Sequence, residues 1–210
     1  MSRPPEVAQF LVALALLAAA SLAAPGNAAE FFTGDYSFSD ELGGFRLVSA
    51  SGSGASSDPV VLVEELHGVG PVTLVIRRQN MQRIDPRPSQ ALTLVKQIVN
   101  RSNRIWASFE VELQEVLKEP SVYSDGLSFK QFSASPMDVE SDSFTLNDRR
   151  FEPYDRITFQ GGSVDPGETV SLRFTITDPT PVAEFYLLQD PNLVSVELPR
   201  RGRSFAGLEE

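Results

Sequence analysis

The chain has 210 residues, no cysteine, 41% hydrophobic residues and a formal net charge of −10. An acidic balance lacks the basic face that displaces counterions from nucleic acid, and it disfavours docking on anionic membranes. With no cysteine, neither disulfide stapling nor a lipidated cysteine anchor is available, and with one histidine a zinc or copper site has too few nitrogen and sulfur ligands.

The first residues read as an address. Arg3 and the terminal amine precede FLVALALLAAASLAA, Phe10 to Ala24, and then PGNAA. A basic start, a short apolar run and small residues at minus three and minus one (Gly26, Ala28) predict a secretory signal peptide cut after Ala28. The alternative is an uncleaved anchor, for which the run is short and Ala-rich. The remainder has no second run of that length, so no membrane span is expected after signal removal, and the protein is expected in the periplasm or outside the cell. Residues 29–198 form one predicted domain, long enough to bury a proper core. Residues 199–210, with Arg200, Arg201 and Arg203 followed by SFAGLEE, read as a disordered basic and acidic tail.

Along the domain, FRLV (45–48) predicts a strand. SASGSGASS is either a glycine-rich strand end or a flexible loop. VVLVEEL (60–66) and VTLVIR (72–77) are β-branched runs that a turn at His67–Pro71 would join as a hairpin. Residues 79–90 carry two prolines and no period, hence a loop. LTLVKQIVN (92–100) fits a strand better than a two-turn helix, because it is rich in Leu, Val, Ile and Thr and lacks caps. The polar turn Arg101–Arg104 would let it pair with the next strand.

Residues 105–113 alternate. Ile105, Ala107, Phe109, Val111 and Leu113 share one parity, and Trp106, Ser108, Glu110 and Glu112 the other. Regular alternation would put Trp106, the only tryptophan, on the polar face. A bulge or a pre-strand position would turn both Trp106 and Phe109 inward, the expected arrangement for a lone tryptophan.

Further on, LSFKQF (127–132), a short stretch of SDSFTLND (141–148) ending at Asn147, and a stretch of FEPYDRITFQGG (151–162) with Ile157 and Phe159 predict strands. Asp165–Glu168 is a Pro-Gly turn. TVSLRFTIT (169–177) is the cleanest strand, with Val170, Leu172, Phe174 and Ile176 inward. Residues 185–188 and 193–198 are the last expected strands. Many short strands with turn signals between them predict an all-β fold, an antiparallel two-sheet sandwich.

One stretch carries a resemblance. NRSNRIWASFEVEL, with Asn100, Ser102, Trp106, Phe109, Glu112 and Leu113, resembles bacterial secreted immunoglobulin-like modules of unknown function. The later VDPGETVSLRFTI (164–176) and FYLLQDP (185–191) fit the same plan. The resemblance spans residues 90–198. It implies an immunoglobulin-like sandwich and brings no catalytic residues.

Constellations for chemistry are sparse. His67 lies in a turn-like context, and no GxSxG elbow accompanies it, so no Ser-His-Asp triad is predicted. Calcium takes oxygen ligands alone, and alternate acids Asp138, Glu140 and Asp142 are candidates for it, although a solvated acidic loop explains them as well. Otherwise no cofactor is expected. Tyr123 and Tyr154, beside Asp125 and Asp155, together with Trp106, are the candidates for stacking on a sugar. Paired carboxylates serving as a hydrolase are a third reading. The leading expectation is a non-enzymatic structural or protein-interaction module. Its partner would be an envelope or extracellular protein, or, in the alternative, a glycan.

Overall fold

A computed structural model describes residues 28–79, 90–122, 124–130, 139–148 and 154–191. The described residues are all-β. Their strands, in chain order, are β1 (Glu30–Thr33), β2 (Tyr36–Ser39), β3 (Phe45–Ser51), β4 (Val60–Leu66), β5 (Val72–Arg78), β6 (Gln90–Asn100), β7 (Phe109–Gln114), β8 (Ser128–Phe129), β9 (Val139–Ser141), β10 (Phe144–Asp148), β11 (Arg156–Gly162), β12 (Thr169–Asp178) and β13 (Glu184–Asp190). They make two sheets. A seven-stranded sheet runs β1-β2-β5-β13-β7-β11-β10. A six-stranded one runs β3-β4-β6-β12-β8, with β9 also on β12.

Period-two alternation places the core. Val60, Leu62 and Leu66 of β4, Leu92, Leu94 and Ile98 of β6, and Val170, Leu172, Phe174 and Ile176 of β12 are buried. They share one apolar cluster with Leu74 and Ile76 of β5, Val111 and Leu113 of β7, and Phe185 and Leu187 of β13. One face of each sheet is therefore buried on the other, the arrangement that period-two strands reach in a sandwich.

Three expectations need correction. The turn at His67–Pro71 does not close a hairpin, because β4 and β5 belong to different sheets. Likewise Arg101–Arg104 leads from β6 in one sheet to β7 in the other. Both strands in each case carry an apolar stripe, and an arch between sheets lets those stripes meet. As a consequence the pairing is not wholly antiparallel. After crossing to β5 the chain returns as β6 beside β4, pointing the same way, with Val60 opposite Leu94 and Leu66 opposite Asn100. The other strand pairs are antiparallel.

The first hairpin was not anticipated. Thr33 pairs with Tyr36 across a two-residue Gly34-Asp35 loop, where Gly34 takes φ 58°, as a tight hairpin requires. The Gly/Ser stretch is a strand end: β3 runs to Ser51, and Gly52 takes φ 104° where a Cβ would lie 2.0 Å from the Pro59 carbonyl oxygen. Residues 1–27, 131–138 and 192–210 lie outside the described residues, and with them the expected signal peptide, most of its cut motif, Phe132, the 193–198 strand and the tail.

Candidate functional site

Trp106 lies ahead of β7, in an isolated antiparallel bridge with Val164. Its N–H donates to the Val164 carbonyl at 3.0 Å and the Val164 N–H returns the bond at 3.0 Å. Its side chain is fully buried and meets the Phe109 ring at 5.6 Å. A bend at residue 107 separates the bridge from the strand, so Trp106 and Phe109 both face inward although three apart. The same bridge turns the neighbouring Ile105 outward, 57% exposed.

Asn100 holds this loop. Its amide donates to the Arg104 carbonyl at 2.8 Å and the Val164 carbonyl at 3.0 Å, and its Oδ1 accepts from the Ser102 N–H and hydroxyl. Asn100 is fully buried, so its four bonds replace those it would make to water. The Gly167 N–H also donates to the Asn100 carbonyl at 2.7 Å, and the Arg101 N–H to that of Leu66 at 2.9 Å.

Topology gathers further loops here. β4 and β6 run parallel and end together, and β2 runs antiparallel to β5, with Ser39 at its end opposite Val75, so the end of β2 points toward the start of β5. Arches 40–44, 67–71, 101–108 and 163–168 thus share one end of the sandwich. Three of them each expose a large apolar side chain: Leu42, Val69 and Ile105. Beside them Glu65 receives Arg101 at 2.9 Å and Arg46 at 2.8 Å. The hydrogen bond from Arg101, with help from Arg46, holds the Glu65 carboxyl below the usual range. His67, half exposed, is 4.0 Å from the same carboxylate.

The carboxylates closest to an acid–base pair are Glu110 and Glu112, two residues apart on the outer face of β7, each side chain 3% exposed. Arg156 of β11 reaches both, Glu110 at 3.1 Å and Glu112 at 2.9 Å. Thr158 donates to Glu110 at 2.9 Å, and Gln114 to Glu112 at 2.9 Å. They sit side by side on one strand rather than facing each other across a cleft, which is what glycoside hydrolysis requires. Burial pushes the Glu110 carboxyl up, and Arg156 and Thr158 pull it partly back. A carboxyl raised by folding holds its proton longer in the folded state, so its contribution to stability falls as pH rises from about 4.3 through the folded value. Glu110→Gln keeps an acceptor for Thr158 and removes that titration. The variant is expected to lose less stability than wild type between pH 4 and pH 7, as urea titrations at each pH would show; parallel curves would refute the assignment.

The calcium candidates are only partly gathered. Glu140 and Asp142 line an open groove on the six-stranded sheet with Val95, Ser141, Ser171 and Arg173. Asp142 Oδ1 already accepts from the Ser171 N–H and the Ser143 hydroxyl, both at 2.9 Å, and Glu140 pairs in register with Arg173. Asp138 lies outside the described residues. Among the described residues no group of three or more His, Asp or Glu side chains is placed to hold a metal.

The sugar candidates are not gathered. Buried Trp106 offers no face to a ligand. Tyr154, 43% exposed, bridges Val122 beyond the other end of β7, so the two cannot share one site. Tyr123 lies outside the described residues. Of the acids beside the tyrosines, Asp125 builds a turn by accepting from the Val122 and Leu127 N–H groups, and Asp155 is fully buried.

Sequence reasoning passed over one feature. Lys96 and Glu64 point into the core, both side chains 0% exposed, with Nζ donating to Oε1 at 2.5 Å. Burial lowers the Lys96 pKa and the Glu64 carboxylate raises it back in part. The signal was present: Lys96 shares parity with Leu94 and Ile98, and Glu64 with Leu62 and Leu66.

In comparison with known proteins, no family model, no curated protein and no solved structure matches the chain.

Proposed function

We propose that this protein is an exported, immunoglobulin-like β-sandwich that acts without enzymatic activity as a protein-interaction module, in the periplasm or outside the cell. The observation that carries the reading is the loop end: Leu42, Val69 and Ile105 stand exposed on three inter-sheet arches at the same end of a rigid two-sheet frame. Apolar side chains held on loops by a fixed scaffold are the usual make-up of a contact surface. The Glu65, Arg46 and Arg101 network lies beside them as a polar rim. The motif residues Asn100, Ser102 and Trp106 serve this surface by shaping the arch that presents Ile105.

The test is capture from the envelope fraction of the exporting cell, with wild type and Ile105→Asp as baits. An exposed substitution costs within about 0.5 kcal/mol, so the variant should melt as wild type does. Loss of a captured protein by the variant is the expected result. Equal capture by both baits overturns the assignment of this end. Retention on immobilised glycans that Tyr154→Ala abolishes would transfer the function to sugar binding.

A further inference from the structure

The predicted cut and the fold meet at one bond. Small residues at minus three and minus one set the cut between Ala28 and Ala29. Ala28 is exposed, whereas Ala29 is half-buried and packed on the core, one residue before β1. Ala29 is clamped on both sides of its backbone. Its N–H donates to Asp40 Oδ1 at 2.7 Å, and its carbonyl accepts from the Asp40 N–H at 3.3 Å. Asp40 is 9% exposed, and its Oδ2 accepts from the Leu47 N–H at 2.9 Å.

We propose that the Ala28–Ala29 bond is the processing site, and that Asp40 is a built seat for the ammonium released there. This rests on the export reading. Hydrolysis adds water across the bond: the hydroxyl goes to the Ala28 carbonyl carbon and one proton to the Ala29 nitrogen, and the proton of the new carboxylic acid passes to the amine, leaving a carboxylate and an ammonium at neutral pH. The amide that donates one hydrogen bond to Asp40 is replaced by a full positive charge on the same nitrogen. A charge-assisted bond to a mostly buried carboxylate is stronger than a neutral one. Other charged groups on the surrounding elements are engaged elsewhere: Glu30 and Glu41 face Arg77, and Arg46 faces Glu65. Asp40 is the charged group that faces this nitrogen among the described residues.

The geometry makes processing a stabilising event. The uncleaved chain has the sandwich but not the ion pair. The ammonium's ordinary pKa is about 8, and the Asp40 carboxylate raises it in the folded state. The added stability is therefore complete below about pH 8 and lost as pH rises through the folded value.

The full chain is to be produced in a bacterium with a secretory pathway and its intact mass measured. The expected product begins at Ala29. It is then melted beside a chain carrying Gly-Ser-Gly ahead of Ala29, which restores an amide at that nitrogen. The processed form should melt about 2–4 °C higher at pH 7, with the gap closing by about pH 10. Asp40→Asn in both forms should abolish the gap. Where that variant fails to fold for want of the Leu47 bond, the pH-dependent closing in the wild-type pair decides instead. An uncleaved product overturns both the export reading and the site. A product cut elsewhere leaves export standing and overturns the site. A correct cut with equal melting in the two forms overturns the seat.

Discussion

Lys96→Met is expected to lower the stability of the domain by about 3–5 kcal/mol, a fall of roughly 6–20 °C in Tm for a chain of this length. Lys96 sits between Leu62 and Leu172 in the middle of the six-stranded sheet, on the face turned to the core. Its ammonium is bonded to Glu64 at 2.5 Å, and neither side chain reaches solvent. The methionine fills nearly the same volume, so the loss comes from electrostatics and not from a cavity. It leaves the Glu64 carboxyl in an apolar interior with Oε1 stripped of its donor, while Oε2 already has no hydrogen-bond partner. Such a group must either stay charged without compensation or take up a proton.

The double variant Lys96→Met, Glu64→Leu separates the two costs. An apolar pair of similar volume removes both charges and their desolvation, and replacements of that kind range from neutral to more stable than the original. The double variant is expected to melt at or above the wild-type temperature. Denaturant titration of the two singles and the double measures the coupling directly. A single variant within about 1 kcal/mol of wild type would sink the account, since breaking a fully buried pair cannot be that mild. What the pair gives in return is register. With Leu62 opposite Lys96 the two charges share the inner face, and a slip of β6 by one residue would turn Lys96 to the outer face and leave Glu64 inside without its partner.

The strands were legible because their alternation is strong. β4 and β6 each bury three apolar side chains at period two and β12 four, and the strand reading of 92–100 rests on β-branched content that suits its long antiparallel pairing with β12. What the sequence could not reveal was which strands are neighbours. A five-residue turn such as His67–Pro71 serves a hairpin or an arch equally well, and the choice depends on which apolar stripe each strand must cover. The same ambiguity hid the parallel pair. The β1–β2 hairpin was missed for a different reason: EFFT and YSFS are four residues each, too short to display a period, although Gly-Asp between two aromatic runs is a turn signal.

The loop end was half legible. Asn100, Ser102, Trp106 and Phe109 belong to the one stretch that carries the resemblance, and together they shape an arch. Regular alternation through the stretch would turn Ile105 inward. It points out because the bridge to Val164 ends two residues before β7 begins, so the parity of the strand does not extend to it. Leu42 and Val69 gave no signal, because an isolated apolar residue in a loop is common and acquires meaning only once topology places several at one end. Ala29 is tied to Asp40 in the 40–44 arch, so the bond proposed above for processing lies at the same end of the sandwich as Ile105.

Trp106→Ala is expected to cost about 3–5 kcal/mol, again roughly 6–20 °C in Tm, through the cavity left where the indole packs on Phe109. Phenylalanine at the same position should cost far less, within about 2 kcal/mol. It keeps an aromatic ring against Phe109 and removes the indole Nε1–H, which is buried with no hydrogen-bond partner, a donor whose burial unpaired costs about 1–3 kcal/mol. The order alanine far below phenylalanine, and phenylalanine near wild type, distinguishes a core anchor from a surface aromatic, for which both changes would be nearly silent. Because Trp106 is the only tryptophan in the chain, its fluorescence reports the same geometry. Emission should be that of an apolar environment in the folded protein, resist acrylamide quenching, and move to the red in a single step with unfolding. An indole that is quenched freely in the folded state, or an alanine variant that melts with wild type, would put Trp106 on the surface and reopen the sugar-stacking reading. The anchoring role also predicts a cost at a distance. With the indole gone, the bridge to Val164 loses its support, and Ile105 is no longer held outward, so Trp106→Ala at a temperature where it remains folded should weaken partner capture along with Ile105→Asp.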